Sequence, residues 1–176
     1  VVVTEIWNLA LARLGQDPIA DPMEASKAAR TCRILWPTVR DAALRAFAWP
    51  WATTRAALPE SSVTPPQNWL HAYAMPSDCL AFRSLEVPGH RALRGDQVPS
   101  YEVAGRLLFC DVDDPVISYT RIVDDVSLYD PMFVSAAAWM LVQELAMALV
   151  LKPDFAQVAA QNAAVVLAQA RGQAAS

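Results

Sequence analysis

The sequence predicts an α+β fold, a helical bundle of about four helices interrupted by a small antiparallel β insertion. Three observations lead there. Apolar residues recur at helical spacing in the first fifty positions and again after position 130. Between these stretches the period shortens to that of strands, broken by proline-rich loops. Alanine supplies 32 of the 176 residues, mostly in the helical stretches, so helices can approach closely. Helices, then strands, then helices is the order of an α+β plan. One domain, 1–176, accommodates it, with N-terminal helices over 1–49, a β insertion over 50–125 and a C-terminal helical hairpin over 130–171. A chain of this length buries roughly 70% of the surface its unfolded form exposes.

The first helix is expected over Thr4 to Leu14, where Ile6, Trp7, Ala10, Leu11 and Leu14 share a face and Gly15 ends the run. A second start follows at Asp21-Pro22-Met23-Glu24. There Asp21 suits the cap, Pro22 the first turn and Glu24 the returning carboxylate of a capping box. The stripe Ala25, Ala28, Ala29, Cys32, Leu35, Trp36, Val39, Ala43, Phe47 carries that helix to Ala48. Pro37 should kink it, because proline lacks the amide its turn needs. Pro50 biases Trp49 away from helix and ends the element.

Strands are expected at Trp51 to Leu58, Leu70 to Met75, Leu80 to Val87, Tyr101 to Asp111 and Val116 to Val123. Ala104-Gly105 suits a hairpin tip inside the fourth. Pro59 to Asn68 and Pro88 to Pro99 read as exposed loops. Asp130 followed by Pro131 opens a helix to about Leu151, apolar nearly all round and so covered on both sides. Lys152-Pro153-Asp154 turns the chain into a last helix, Phe155 to about Arg171. Its apolar stripe is Phe155, Val158, Ala159, Val165 and Val166.

Composition narrows the function classes. Hydrophobic residues make up 55% of the chain and mean hydropathy is positive, rich for a monomer and in keeping with an oligomer. Net charge is −4, so no basic footprint for duplex-DNA binding is present. Cys32, Cys79 and Cys110 are odd in number and widely spaced, which points to a reducing compartment and to no disulfide framework. The N-terminus lacks the basic region and cleavage site of a signal peptide. Met132 to Leu151 is the most membrane-like run, but Gln143 and Glu144 near its middle favour a core helix.

Candidate chemistry is sparse. His71, Asp78 and Cys79 invite a thiol-nucleophile reading, yet nothing in the strand pattern brings His71 to Cys79, and a nucleophile needs its base within hydrogen-bond reach. Cys79 reads as apolar filler. His71 and His90 are too isolated for a zinc pattern. Asp111, Asp113 and Asp114 resemble a calcium loop faintly, but Val116 and Ile122 stand where its glycine and closing carboxylate belong. No phosphate loop, dinucleotide fingerprint or nucleophile elbow occurs. Arg94-Gly95-Asp96 reads as a plain turn. Arg30, Arg33, Arg40 and Arg45, interleaved with Glu24 and Asp41, read as a salt-bridged solvated face or a partner-protein surface. No catalytic, cofactor-binding or metal-binding residue is expected.

What remains is scaffold. Trp49, Trp51, Trp69 and Tyr73 are expected to pin the β insertion to the end of the second helix, since aromatics bury large area with few rotamers to freeze. Pro76 fixes backbone in a turn where Asp78 can cap nearby amides. Asp130, Pro131 and Phe133 set the start of the third helix. Two rivals stand beside a structural role. One is a helical binding module for a partner helix or apolar ligand; the other is an enzyme using Cys79 or the Asp111, Asp113, Asp114 cluster.

The order of these motifs resembles the tail tubular protein A family, head-to-tail adaptors of tailed-phage virions. The likeness runs from about Glu5 to Ala170. It begins with EIWNLALARLGQDPIAD and the Arg-Asp-x-x-Leu segment leading to a helix-ending tryptophan and an Ala-x-x-Arg-x-x-Leu strand. It continues through Trp-x-x-Ala-Tyr-x-x-Pro-x-Asp-Cys-Leu and a strand ending in Asp before Tyr-Asp-Pro-x-Phe. The resemblance implies a ring, typically of twelve copies, at the head-tail junction of a virion. Such a ring docks beneath the portal and above the tail nozzle or tail-completion protein, and genomic double-stranded DNA passes through it without sequence-specific binding. It implies no membrane, no cofactor and no catalysis. The chain ends in RGQAAS soon after the last helix, so the portal contact that family members make with a longer C-terminal segment is expected to be shortened or made differently.

Overall fold

A computed structural model describes residues 2–87 and 98–174. His90 and Arg94-Gly95-Asp96 lie outside the described residues. The fold is mixed α+β: four α-helices and, among the described residues, two small antiparallel sheets of three strands each. The chain divides into two compact units, Val1–Phe47 with Val123–Ser176, and Ala48–Ile122.

The first unit holds all four helices: α1 (Val3–Arg13), α2 (Lys27–Ala46), α3 (Pro131–Leu145) and α4 (Pro153–Ala174). Helix α3 packs against the other three. Its buried Phe133, Ala136, Ala137, Ala138, Leu141, Val142 and Leu145 explain why its sequence is apolar on nearly every side. Helix α1 stops where Gly15 takes φ +66. The following chain is tied back as Asn8 accepts from the Ile19 amide at 2.8 Å and donates to its carbonyl at 2.9 Å.

Helix α2 starts five residues later than the sequence predicts. Glu24 does reach back, accepting from the Ala20 amide at 2.9 Å, and Asp21 accepts from the Met23 amide at 2.6 Å, but together they close a separate turn. The helix waits for Ser26, whose hydroxyl accepts from the Ala29 amide at 3.1 Å. It then runs without interruption through Pro37.

The apolar run after Asp130 is also not one regular helix. Helix α3 gives way at Ala146 to a five-residue π segment that ends at Leu151, held at φ +54 and 77% exposed. A left-handed leucine costs about 1–2 kcal/mol. Pro131–Val150 is long and apolar enough to cross a membrane by length and composition, and 44% of its most apolar window is buried.

The expected stripe on α4 holds only at Ala159, which is buried, and at the half-buried Val166. Phe155, Val158 and Val165 are exposed, and the buried face is Ala159, Ala163 and Ala170. Alanines on α4 facing a helix with Ala136, Ala137 and Ala138 let two backbones approach, and the larger side chains are left outside.

The second unit pairs β1 (Thr53–Ala57), β6 (Val116–Arg121) and β3 (Cys79–Glu86) in the order β1-β6-β3, and β2 (His71–Ala74), β5 (Leu107–Cys110) and β4 (Tyr101–Ala104) in the order β2-β5-β4. The insertion is therefore two sheets. One core draws on both, with Leu85, Ile117 and Tyr119 from the first and Tyr73, Leu108 and Cys110 from the second. The hairpin tip is one residue later than expected, at Gly105-Arg106, with Gly105 at φ +61.

Candidate functional site

Residues 49–52 form a turn, so the first strand begins at Thr53 and not at Trp51 as the sequence predicts. The Trp49 carbonyl accepts from the Ala52 amide at 3.0 Å, which puts Pro50 at the second turn position, where its fixed φ is favoured. The Thr53 hydroxyl donates to the same carbonyl at 2.8 Å. Trp49 is 1% exposed and its ring lies 6.4 Å from that of the half-buried Trp51. Trp69 is half-buried as well, and its indole donates to Glu102 on β4 at 3.1 Å.

The Pro-Ser-Asp turn closes as the Cys79 amide donates to the Pro76 carbonyl at 3.0 Å. The sequence predicts that the Asp78 carboxylate caps nearby amides, but its partner is a side chain. It accepts from the Tyr119 hydroxyl at 3.0 Å, while the Asp78 carbonyl accepts from the Ile122 amide at 2.9 Å. Burial, then the bonded Asp78 carboxylate, push the Tyr119 phenol up to about 12. Tyr73 donates to the Val112 carbonyl at 2.9 Å.

His71 has partners that sequence reasoning missed. One ring nitrogen lies 3.2 Å from Glu60 in the β1–β2 loop and the other 3.1 Å from Asp113 in the β5–β6 loop. Both loops are thereby tied to β2. Across the sheet His71 faces Cys110, whereas Cys79 pairs with Arg121 in the other sheet. The thiol opposite the imidazole is thus Cys110, fully buried and pushed up by desolvation, which opposes the thiolate a nucleophile requires. Asp111 accepts from the Leu70 amide at 2.9 Å, and Asp114 turns the loop at φ +49. Among the described residues no His, Cys, Asp and Glu group is arranged to hold a metal ion.

In the helical unit, Asp130 caps α3 by accepting from the Phe133 amide at 2.8 Å, with Pro131 in the first turn. The ring of Phe133 meets that of Tyr129 edge-on at 4.6 Å, and the Tyr129 hydroxyl donates to the Val123 carbonyl at 2.7 Å. Burial pushes the Tyr129 phenol up to about 12.

The arginines of α2 do not form a simple solvated face. Arg40, largely buried, pairs with Asp41 and Asp124, and Arg33 donates to the Pro22 carbonyl at 2.7 Å. Arg13 of α1 stacks 3.9 Å over Trp139 of α3, and burial lowers its pKa.

Two surface features stand out in the same unit. From Phe155 to Ala170, helix α4 carries no charged residue, and Phe155, Val158 and Val165 on it face solvent. Between α2 and α3 lies a groove of about 230 Å³ lined by Leu35, Val39, Ala42 and Met140, with Glu144 at its rim.

Comparison with known proteins finds no family whose model matches this chain, and no curated protein that matches it.

The two raised phenols set an alkaline limit. Tyr119 and Tyr129 hold their protons in the fold to about 12, against about 10 in an unfolded chain. The unfolded state therefore loses protons first, so stability is full below about pH 10 and falls as pH rises toward 12. Urea midpoints measured across that window should decline. A constant midpoint would contradict the two buried hydroxyls.

Proposed function

We propose that the chain is a structural virion protein, a head-to-tail adaptor that forms a ring beneath the portal, links capsid to tail and lets genomic double-stranded DNA pass. The proposal takes the four helices as one bundle interrupted by the β insertion. The partners are the portal protein, the tail nozzle or tail-completion protein, and further copies of the chain, twelve to a ring. The place is the head-tail junction of the virion, after synthesis in the host cytoplasm. No catalysis, cofactor or membrane belongs to this role.

The motif order from Glu5 to Ala170 supports it, and the observation that carries it is the outer face of α4. A solvated helix normally carries charges on its outer face; this one exposes Phe155, Val158 and Val165 among alanines and glutamines. In a chain of net charge −4, an uncharged face is where identical copies meet without repulsion. An acidic ring also suits a DNA passage, because a basic lumen would hold a duplex bearing a charge every ~1.7 Å of axis.

Negative-stain microscopy of the protein mixed with a candidate portal tests the role, and a twelve-fold ring seated on the portal is the expected image. Alone and dilute, the protein should sediment as a monomer or a mixture of small oligomers, since the pool of large apolar side chains outside the helical stripes is modest and gives interfaces weaker than an obligate core. A stable twelve-fold ring in dilute solution would refute that dependence on the portal, and bare portals in the mixture would refute the adaptor role.

Cys79→Ser and His71→Ala should leave assembly and DNA delivery intact. The first places a hydroxyl in a half-buried apolar site and should cost about 1–2 kcal/mol. The second removes contacts to two exposed carboxylates, each worth about 0–1 kcal/mol. Complementation of infectivity beside a melting curve reads both, and assembled particles of unchanged stability that fail to deliver DNA would restore chemistry at this site. The groove between α2 and α3 favours a second reading, a helical module for a partner helix or apolar ligand. A ligand-dependent rise in melting temperature would be its sign.

A further inference from the structure

Leu151 combines two unfavourable features at one position. It holds a left-handed backbone that suits glycine, and it is 77% exposed. It follows a π segment, an irregularity found often at functional sites. Met147 and Phe155 beside it are 50% and 40% exposed, so the α3–α4 corner is an apolar knob. Lys152, whose ammonium lies 5.6 Å from the centre of the Phe155 ring, is its one cation, and Asp154 is its one anion. Neither the strain nor the exposure helps a lone chain, and both are accounted for if the knob is buried in an assembly.

The same unit carries the complement. The groove between α2 and α3 is lined by Leu35, Val39, Ala42 and Met140 together with Thr38 and Gln143, and its one charged lining residue is the anionic Glu144. Its volume of about 230 Å³ falls short of the ~300–1,000 Å³ that hold drug-sized ligands, but it admits an inserted side chain.

We propose that the groove takes the Leu151 corner of a second copy of this chain, with Leu151 inserted between α2 and α3 and Lys152 of one copy paired with Glu144 of the next. Apolar walls meet an apolar knob, and the knob's one cation meets the groove's one anion, so the contact places a charge pair beside an apolar insertion. Reciprocal insertion gives a two-fold dimer, and insertion repeated head to tail closes into a ring when the rotation closes. That closed form rests on the adaptor reading, whereas the pairwise contact does not.

Sedimentation velocity over a range of concentrations, up to the solubility limit, tests the contact without any portal. The wild type should self-associate reversibly, and Leu151→Gly should weaken that association about tenfold or more, as loss of an inserted anchor does. Its melting temperature should not fall, because glycine accepts the left-handed backbone. Glu144→Lys and Lys152→Glu should each weaken association several-fold. Mixed with each other, or combined in one chain, they should restore it.

A wild type that remains monomeric throughout overturns the contact, as does association unchanged in Leu151→Gly, or charge reversals that fail to rescue one another. Rings of Leu151→Gly that form normally on the portal would also overturn it while leaving the adaptor role standing. Failure of the adaptor role itself would show instead as wild-type protein that associates through this corner yet never decorates a portal.

Discussion

Trp49→Ala is expected to destabilise the protein by about 3–5 kcal/mol, the range for emptying a buried aromatic site. The side chain is 1% exposed and is among the largest fully buried ones. Its backbone anchors the turn into β1, where the Trp49 carbonyl serves both the Ala52 amide and the Thr53 hydroxyl. Those bonds survive truncation, so the loss falls on packing. Trp49→Phe, which keeps most of the apolar volume, should retain much of the stability. Urea unfolding monitored by tryptophan fluorescence separates the two variants. An alanine variant as stable as wild type would remove Trp49 from the core.

What could be read from the sequence was local, and what could not depended on partners far along the chain. Asp130-Pro131 was legible because cap, proline and the donating Phe133 amide lie within four residues. Gly105 was legible for the same reason, a hairpin tip that needs positive φ. Asp21-Pro22-Met23-Glu24 carries the same signature as a helix start, yet its carboxylates close a turn and Ser26 takes the cap instead. Local chemistry satisfies both outcomes, so the choice is made by where α2 packs. The stripe on α4 failed for a related reason. Alanine holds several faces of that helix, and only the presence of α3 decides that the alanine face goes in and the valines stay out. At the candidate site, the turn at Pro76 was readable, whereas Pro50 was readable only as a helix end and not as the turn that delays β1 to Thr53. The carboxylate pair on His71 was not, since Glu60 and Asp113 reach β2 from two different loops. Tyr119 donating to the Asp78 carboxylate was hidden likewise, being a bond from β6 to the turn before β3, 41 positions apart.

Phe133→Ala should be the most damaging substitution in the helical unit, costing about 3–5 kcal/mol. Phe133 is fully buried one turn into α3, the helix against which α1, α2 and α4 all pack. Its ring also holds Tyr129 edge-on at 4.6 Å, an arrangement worth about 0.5–1.5 kcal/mol beyond the buried area. Truncation would leave a cavity, and the amide of residue 133 would still be capped by Asp130, so the damage should appear as lost packing and not as a frayed helix start. All four α-helices belong to this unit, so helical circular dichroism reports it selectively. The expected result is a midpoint shifted well to lower denaturant in the dichroism signal. If the helices are what copies of the chain use to meet, the same variant should also fail to decorate a portal at temperatures where the wild type does. A variant that keeps its helical midpoint would show that α3 does not depend on this residue. One that loses it and still assembles would move the contacts between copies away from the helical unit.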